Sequence, residues 1–334
     1  MKTIPILLLA FLVSTGTHAQ QTELMKYSGS AIESPYWFKD SFLDIADDIQ
    51  EAQDDGKKLI IYFHQAGCPY CYNLVQQSLL DPALSQYIQE NFDLVALDLW
   101  GDREVTLPDG SEISEKELAI KWKVQFTPTL LFFSDSEMPV LRIDGYRSRV
   151  MLAKVLEYVV SGDTETSLSQ NLNQRDQSAV LYPSVAFQPV DALSELKPDK
   201  PVALLFEYPG CEDCTQLHKR VLSRTDTFKQ LEKFHGYRFD VSDPQKVTLP
   251  DGTELTGSEY AEKLGLTYYP SLVLMDASGE ERLRVDAYVQ AFHFNTALEY
   301  VSQKVYLRVP EFQRYINERA DKLREEGQEV VITQ

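Results

Sequence analysis

The seven residues VTLPDGS at 105–111 return as VTLPDGT at 247–253, and this recurrence constrains the chain more than any other feature. The offset, 247 minus 105, is 142 residues. At the same offset Thr127-Pro128-Thr129-Leu130 answers to Tyr269-Pro270-Ser271-Leu272, and Leu156-Glu157-Tyr158-Val159 answers to the LEYV of 298–301. Two C-x-x-C pairs, Cys68/Cys71 and Cys211/Cys214, keep this register to within one residue. A period this long describes two whole domains, not the short stacked units of a solenoid. A length of 334 residues suits two domains, each large enough to bury its own core.

Residues 59–63 form a short, β-rich apolar run of the kind found in buried strands, and lead through Gly67 into Cys68-Pro69-Tyr70-Cys71. Beyond Cys71, Leu74, Val75 and Leu79 fall on one side of a helix. The first cysteine therefore sits where a strand ends and a helix begins. Unpaired N–H groups and the positive end of the helix dipole favour a thiolate there, and Pro69 suits a first turn. Upstream, Trp37 and Phe38 are expected to pack on the core, and a helix to carry Phe42, Ile45 and Ile49. Asp81 is placed to cap a helix opened by Pro82, with Leu84, Tyr87 and Ile88 inward. Residues 94–99 read as a second buried strand, and the Pro-Asp-Gly that follows as a tight hairpin turn. Ser114 with Glu117 forms a capping box and Ile113 with Leu118 a staple; Thr256 with Glu259 and Leu255 with Tyr260 repeat both devices. An X-Pro, an apolar strand, a further strand and a helix close each unit. The order implies an α/β fold, in each unit a mixed β-sheet flanked by helices.

The sequence divides into a secretory signal peptide (1–19), domain one (20–160), a polar linker (161–182), domain two (183–305) and a C-terminal helix and tail (306–334). Lys2, the apolar run 4–13, and the small residues Thr17 and Ala19 give the signal its layout. That run is too short to span a bilayer. At the far end Pro310 opens a charged helix with Phe312, Tyr315, Ile316, Ala320 and Leu323 at helical spacing. It is expected to dock on domain two, with dimerisation as the alternative. Of 32 basic and 51 acidic residues the signal removes only Lys2, leaving 31 minus 51, or −20. That balance argues against nucleic acid and anionic membrane surfaces as partners. The expected location is the periplasm or the exterior, without membrane embedding, where thiols oxidise.

Two sulfurs with two intervening residues at a helix start can bond without straining the backbone, leaving the first exposed and the second shielded. Cys68 then attacks a substrate disulfide and Cys71 resolves the intermediate, with Cys211 and Cys214 as the second version. Pro128 behind Thr127, and Pro270 behind Tyr269, remove a backbone donor and leave an edge where a substrate segment can add as a strand. His64, and in domain two Glu207, stand four residues before the first cysteine as candidates for proton transfer, though a lone histidine is as readily a packed one. Glu212 and Asp213 set the second pair apart. At about 6 Å each carboxylate costs a thiolate roughly 0.7 kcal/mol in a watery setting, about 15 mV for a two-electron couple. The contrast favours Cys68/Cys71 as the main site. Zinc is disfavoured because its paired motifs lie about 15–20 residues apart, and no G-x-G-x-x-G fingerprint points to a nucleotide, so no cofactor is expected. The rival reading is a non-catalytic interaction module with structural disulfides, domain two above all.

Strand, G-C-x-x-C, helix, then T-P or Y-P before an apolar strand resembles the thioredoxin-like superfamily across most of both units. Trp37-Phe38-Lys39, CPYC, Trp100-Gly101-Asp102 ahead of VTLPDG, and FTPTLLFF look like the periplasmic thioredoxin-related proteins of sulfur-oxidation (SoxW) type. The resemblance implies that Pro128 and Pro270 are cis prolines beside the cysteines. It also implies protein disulfides as substrates and a membrane thiol–disulfide transporter as electron donor, with a sulfur-oxidation or cytochrome-maturation component among the clients. Thioredoxins place Trp before the first cysteine and a buried Asp on the preceding strand. Here those positions hold Gly67 and Tyr62, and Gly210 and Leu205, so that carboxylate is absent. The expected activity is that of an exported thiol–disulfide oxidoreductase working as a reductase, with an oxidase or isomerase as the alternative.

Overall fold

The computed structural model describes residues 34–163, 166, 168, 180–184, 186–190, 199–328 and 330. The expected signal peptide and most of the linker lie outside them. Domain one runs α1 Ile45–Asp54, β1 Lys58–His64, α2 Pro69–Leu74, α3 Pro82–Asn91, β2 Phe92–Asp98, β3 Glu104–Thr106, β4 Glu112–Ser114, α4 Glu115–Lys121, β5 Thr129–Phe133, β6 Leu141–Asp144 and α5 Arg149–Ser161. Its main sheet has the order β2-β1-β5-β6, with β1 parallel to β2 and antiparallel to β5. Ile60 and Tyr62 of β1 face one apolar cluster, and Leu59, Ile61 and Phe63 face the other. Covered on both faces, the central strand reads as an unbroken apolar run.

Domain two repeats the plan with β7 Gln188–Pro189, β8 Val202–Glu207, α6 Glu212–Gln216, α7 Thr225–Leu231, β9 His235–Asp240, β10 Val247–Thr248, β11 Glu254–Leu255, α8 Gly257–Lys263, β12 Ser271–Met275, β13 Glu281–Val285 and α9 Ala291–Ser302. The sheet order is β13-β12-β8-β9-β7, again mixed. A last helix, α10, spans Phe312–Glu325. Among the described residues no helix is long and apolar enough to cross a membrane.

The local devices are in place. Asp81 accepts from the Leu84 N–H at 3.1 Å, both capping boxes close, and β3 and β4 make the hairpin around Pro-Asp-Gly. Two features differ from expectation. Phe42 lies outside α1 and is fully exposed, because Leu43 turns the chain at φ +63° and Asp44 caps the helix from Ile45. Each redox helix also passes into a π turn, Val75–Leu79 and Leu217–Leu222, which a mean 3.6-residue pattern does not reveal.

The domains meet through the loops that follow β6 and β13. Gly145 and Ala287, equivalent at the 142-residue offset, touch: a Cβ on Gly145 would lie 2.6 Å from that of Ala287. Contact between equivalent residues is the mark of a two-fold-like, self-complementary interface. Arg147, 1% exposed, is enclosed there. It donates to the carbonyls of Asp144, Tyr146 and, across the interface, Asp286 at 2.9, 3.2 and 2.9 Å. Its guanidinium lies 4.1 Å above the ring of Tyr268. Helix α10 packs on α9, as read from its pattern, and also bridges to domain one. The Phe312 N–H donates to Gln125 at 2.9 Å, its ring rests 5.3 Å from that of Phe126, and Arg314 covers Trp100.

Candidate active site

Each C-x-x-C pair opens its helix with the first cysteine as N-cap. The Cys71 N–H points at Cys68 Sγ from 3.0 Å, and the Cys214 N–H at Cys211 Sγ from the same distance. The backbone thus offers a donor to the sulfur that must carry charge. Both pairs are closed as disulfides within their own domains, at Cα separations of 5.2 Å. The Thr127–Pro128 and Tyr269–Pro270 bonds are cis. Cys68 Sγ lies 3.4 Å from both the carbonyl oxygen and the hydroxyl of Thr127, and Cys211 Sγ 3.7 Å from the carbonyl of Tyr269. Gln65, which the sequence reading passed over, ties this corner together. It donates to the Thr127 hydroxyl at 3.1 Å and to Gln313 of α10 at 2.9 Å, and accepts from the Trp100 indole at 2.7 Å. Its position just before the C-x-x-C is the sole hint in the sequence.

The expected exposure of the first sulfur is not found. Cys68 and Cys211 are each 3% exposed, each packed in the apolar cluster of its own domain. Beside Cys68 remains a cavity of about 60 Å³, bounded by Pro69 and Thr127 on one side and by Val289, His293, Gln313 and Ile316 of domain two and α10 on the other. Beside Cys211 runs an open cleft of about 510 Å³ that takes Tyr70, Tyr146 and Met151 of domain one into its wall. Met151 and His293 are equivalents, 293 minus 151 being 142, and each reaches the other domain's site. The His293 ring stands edge-on to Tyr70, centroids 5.4 Å apart, and its Nδ1 has no hydrogen-bond partner among the described residues. Burial pushes its pKa down to about 4, so the imidazole is neutral near pH 7.

Neither candidate for proton transfer meets a sulfur. His64, at the end of β1, rests its ring 5.4 Å from that of Tyr62, and burial holds its pKa below the usual value. Glu207 is fully enclosed, with its carboxylate committed to Arg238 Nε and, at 3.0 and 3.2 Å, to His218 Nε2. Arg238 also donates to the Tyr182 carbonyl at 2.6 Å, and the Tyr182 ring stacks on His218, so the network pins the incoming chain to the sheet. A buried carboxylate persists only with such partners. Of the two acids between the second pair, Glu212 is exposed, while Asp213 accepts from the Tyr268 hydroxyl. Burial, with Asp213 beside it, raises the pKa of Tyr268 and keeps that hydroxyl protonated.

A family model, the thioredoxin-like domain, matches the chain twice, over residues 45–160 and 192–302. No curated protein matches it. Solved structures similar to it include a thioredoxin-fold protein from Helicobacter pylori, at 17% identity over 41% of this chain and 97% of that one, TM-score 0.35. A thioredoxin from Thermus thermophilus shares 28% identity over 35% of this chain and 83% of its own, TM-score 0.28. The oxidised C-terminal domain of Neisseria meningitidis DsbD shares 19% over 34% and 89%, TM-score 0.26.

Proposed function

The chain belongs to the thioredoxin-like family, whose domain it carries twice, and from that premise we propose that it is an exported thiol–disulfide reductase. The carrying observation is the pair of sulfurs at each helix start, the first of them 3.0 Å from the N–H of the second cysteine and beside a cis X-Pro. Within each pair the first cysteine, Cys68 or Cys211, is the one built as nucleophile, and the second, Cys71 or Cys214, the one built to resolve a mixed disulfide. Thr127, Pro128, Tyr269 and Pro270 shape the ground beside them. Protein disulfides of the periplasm are the substrates, a membrane thiol–disulfide transporter supplies the electrons, and the signal peptide directs export. The likeness of Trp37-Phe38-Lys39 and of the Trp100-Gly101-Asp102 ahead of VTLPDG to the sulfur-oxidation (SoxW) type supports that narrower reading.

Reduction of insulin by the full chain with dithiothreitol, followed as turbidity, tests this. The wild type accelerates the reaction and the chain with all four cysteines changed to serine does not; equal traces sink the reading. One observation favours a second reading, structural disulfides in an interaction module: both first cysteines are 3% exposed. Failure of millimolar dithiothreitol to open either pair would support it.

A further inference from the structure

Two cysteine pairs of one design face unlike surroundings. Over Cys68, the residues 287–289 and helix α10 fill the groove beside Thr127: Gln313 bonds to Gln65 at 2.9 Å, and Phe312 lies against Phe126. The remaining 60 Å³ has room for water but not for a polypeptide. Beside Cys211 about 510 Å³ stays open, within the roughly 300–1,000 Å³ usual for a binding site. Six residues of that cleft are tyrosines, Tyr70 and Tyr146 from domain one and Tyr208, Tyr268, Tyr269 and Tyr288 from domain two. The charged groups in its wall are the carboxylates of Glu212, which is exposed, and Asp213, which accepts from Tyr268. Among the described residues neither Lys nor Arg lines it, and the guanidinium of Arg147 close by lies over the Tyr268 ring. Tyrosine ring faces attract cations, and carboxylates bond to guanidinium and ammonium groups.

We propose that the client enters at Cys211, in the cleft between the domains, as an extended segment whose cysteine is flanked by Lys or Arg, and that the chain's own C-terminal helix closes Cys68 to polypeptides. The inference rests on the oxidoreductase reading above. With domain two reduced by an external dithiol, the Cys211 thiolate attacks one sulfur of the client disulfide. The Cys211–client bond forms as the client's S–S bond breaks, and the departing thiolate takes a proton from water. Cys214 then gives its proton to water and its thiolate attacks Cys211 Sγ, closing the Cys211–Cys214 disulfide as the Cys211–client bond breaks and releasing the second client sulfur as a thiolate, which takes a proton from water. Two electrons pass from the domain-two dithiol to the client. The charge contrast between the pairs favours Cys68; the room beside the sulfur reverses that order, because both first cysteines are equally covered, at 3% exposed, but only Cys211 borders a cleft that a client segment can enter.

Full-length chains that keep a single cysteine test the assignment: Cys68→Ser/Cys71→Ser/Cys214→Ser retains Cys211, and Cys71→Ser/Cys211→Ser/Cys214→Ser retains Cys68. Each is mixed with a synthetic peptide disulfide whose cysteine lies between two arginines, or between two glutamates, and the adduct is timed by intact mass. The Cys211 chain is expected to react at least about tenfold faster than the Cys68 chain, as thiol reactivity follows access. It is also expected to prefer the arginine peptide, a preference reduced by adding Glu212→Gln. Equal rates at the two cysteines, or a faster Cys68, overturn the proposal, as does indifference to peptide charge. Adduct at neither cysteine overturns the oxidoreductase reading itself. Phe312→Ala in the Cys68 chain guards against a misfolded control: loosening α10 is expected to raise its rate, and an unchanged rate with an unchanged circular dichroism spectrum refutes the role of the helix as a cover.

Discussion

At the scale of single residues, His293 has the clearest measurable signature. Its pKa of about 4 in the folded chain lies below the 6.5 of a free imidazole, so the unfolded chain binds the extra proton first. The stability that His293 leaves intact above pH 6.5 is therefore lost as the pH falls toward 4, by about 3 kcal/mol at 1.36 kcal/mol per pH unit. Comparing urea midpoints of wild type and His293→Leu at pH 7.5 and pH 4.5 checks this: the variant is expected to lose less on acidification, and parallel losses would contradict it. Gln65 makes a second case. It holds Thr127, Trp100 and Gln313 at once, so Gln65→Leu strands two buried polar groups and a half-buried indole N–H, at a cost of about 1–3 kcal/mol for each buried group where no water replaces it. A fall of that order in the unfolding free energy is expected. Neither role is written in the sequence near these residues, since the partners lie 223 (293 minus 70) and 248 positions away.

At the scale of elements the sequence was far more legible. The two capping boxes, Ser114/Glu117 and Thr256/Glu259, are local patterns with local partners, and both form. Because they are the same device, Ser114→Ala and Thr256→Ala are expected to destabilise their domains by similar amounts, about 1 kcal/mol each; thermal denaturation of the two variants measures it. The redox helices were likewise placed by their first cysteines, which cap them through the N–H of the second. The π turns escaped because one added residue leaves the apolar face in place. His64 and Glu207 show the opposite failure. Each stands four residues before the first cysteine of its pair, yet the strand carries both side chains to other company, Tyr62 for one and Arg238 with His218 for the other.

For the molecule as a whole, the packing of one domain's site against the other sets the terms on which either sulfur works. Gly145 sits at the interface at φ +81°, where a Cβ would lie 2.6 Å from that of Ala287. Gly145→Val is expected to strain that turn and press the domains apart, at a cost of about 1–3 kcal/mol, and to raise alkylation of Cys68 in the reduced chain by iodoacetamide. Peptide mapping of the modified cysteines reads the second effect, and unchanged labelling would argue that the interface does not shield Cys68. By itself the sequence determined that there are two domains, that both are α/β with a cysteine pair at a helix start, and that the two pairs differ in charge. Those properties follow from period, apolar patterning and caps, which act over a few turns of chain. Only the tertiary structure decided which sulfur is covered and which opens on a cleft. That depends on Arg147, Phe126, His293 and α10 meeting across an interface, and contacts between residues so far apart in the chain leave no periodic trace in it.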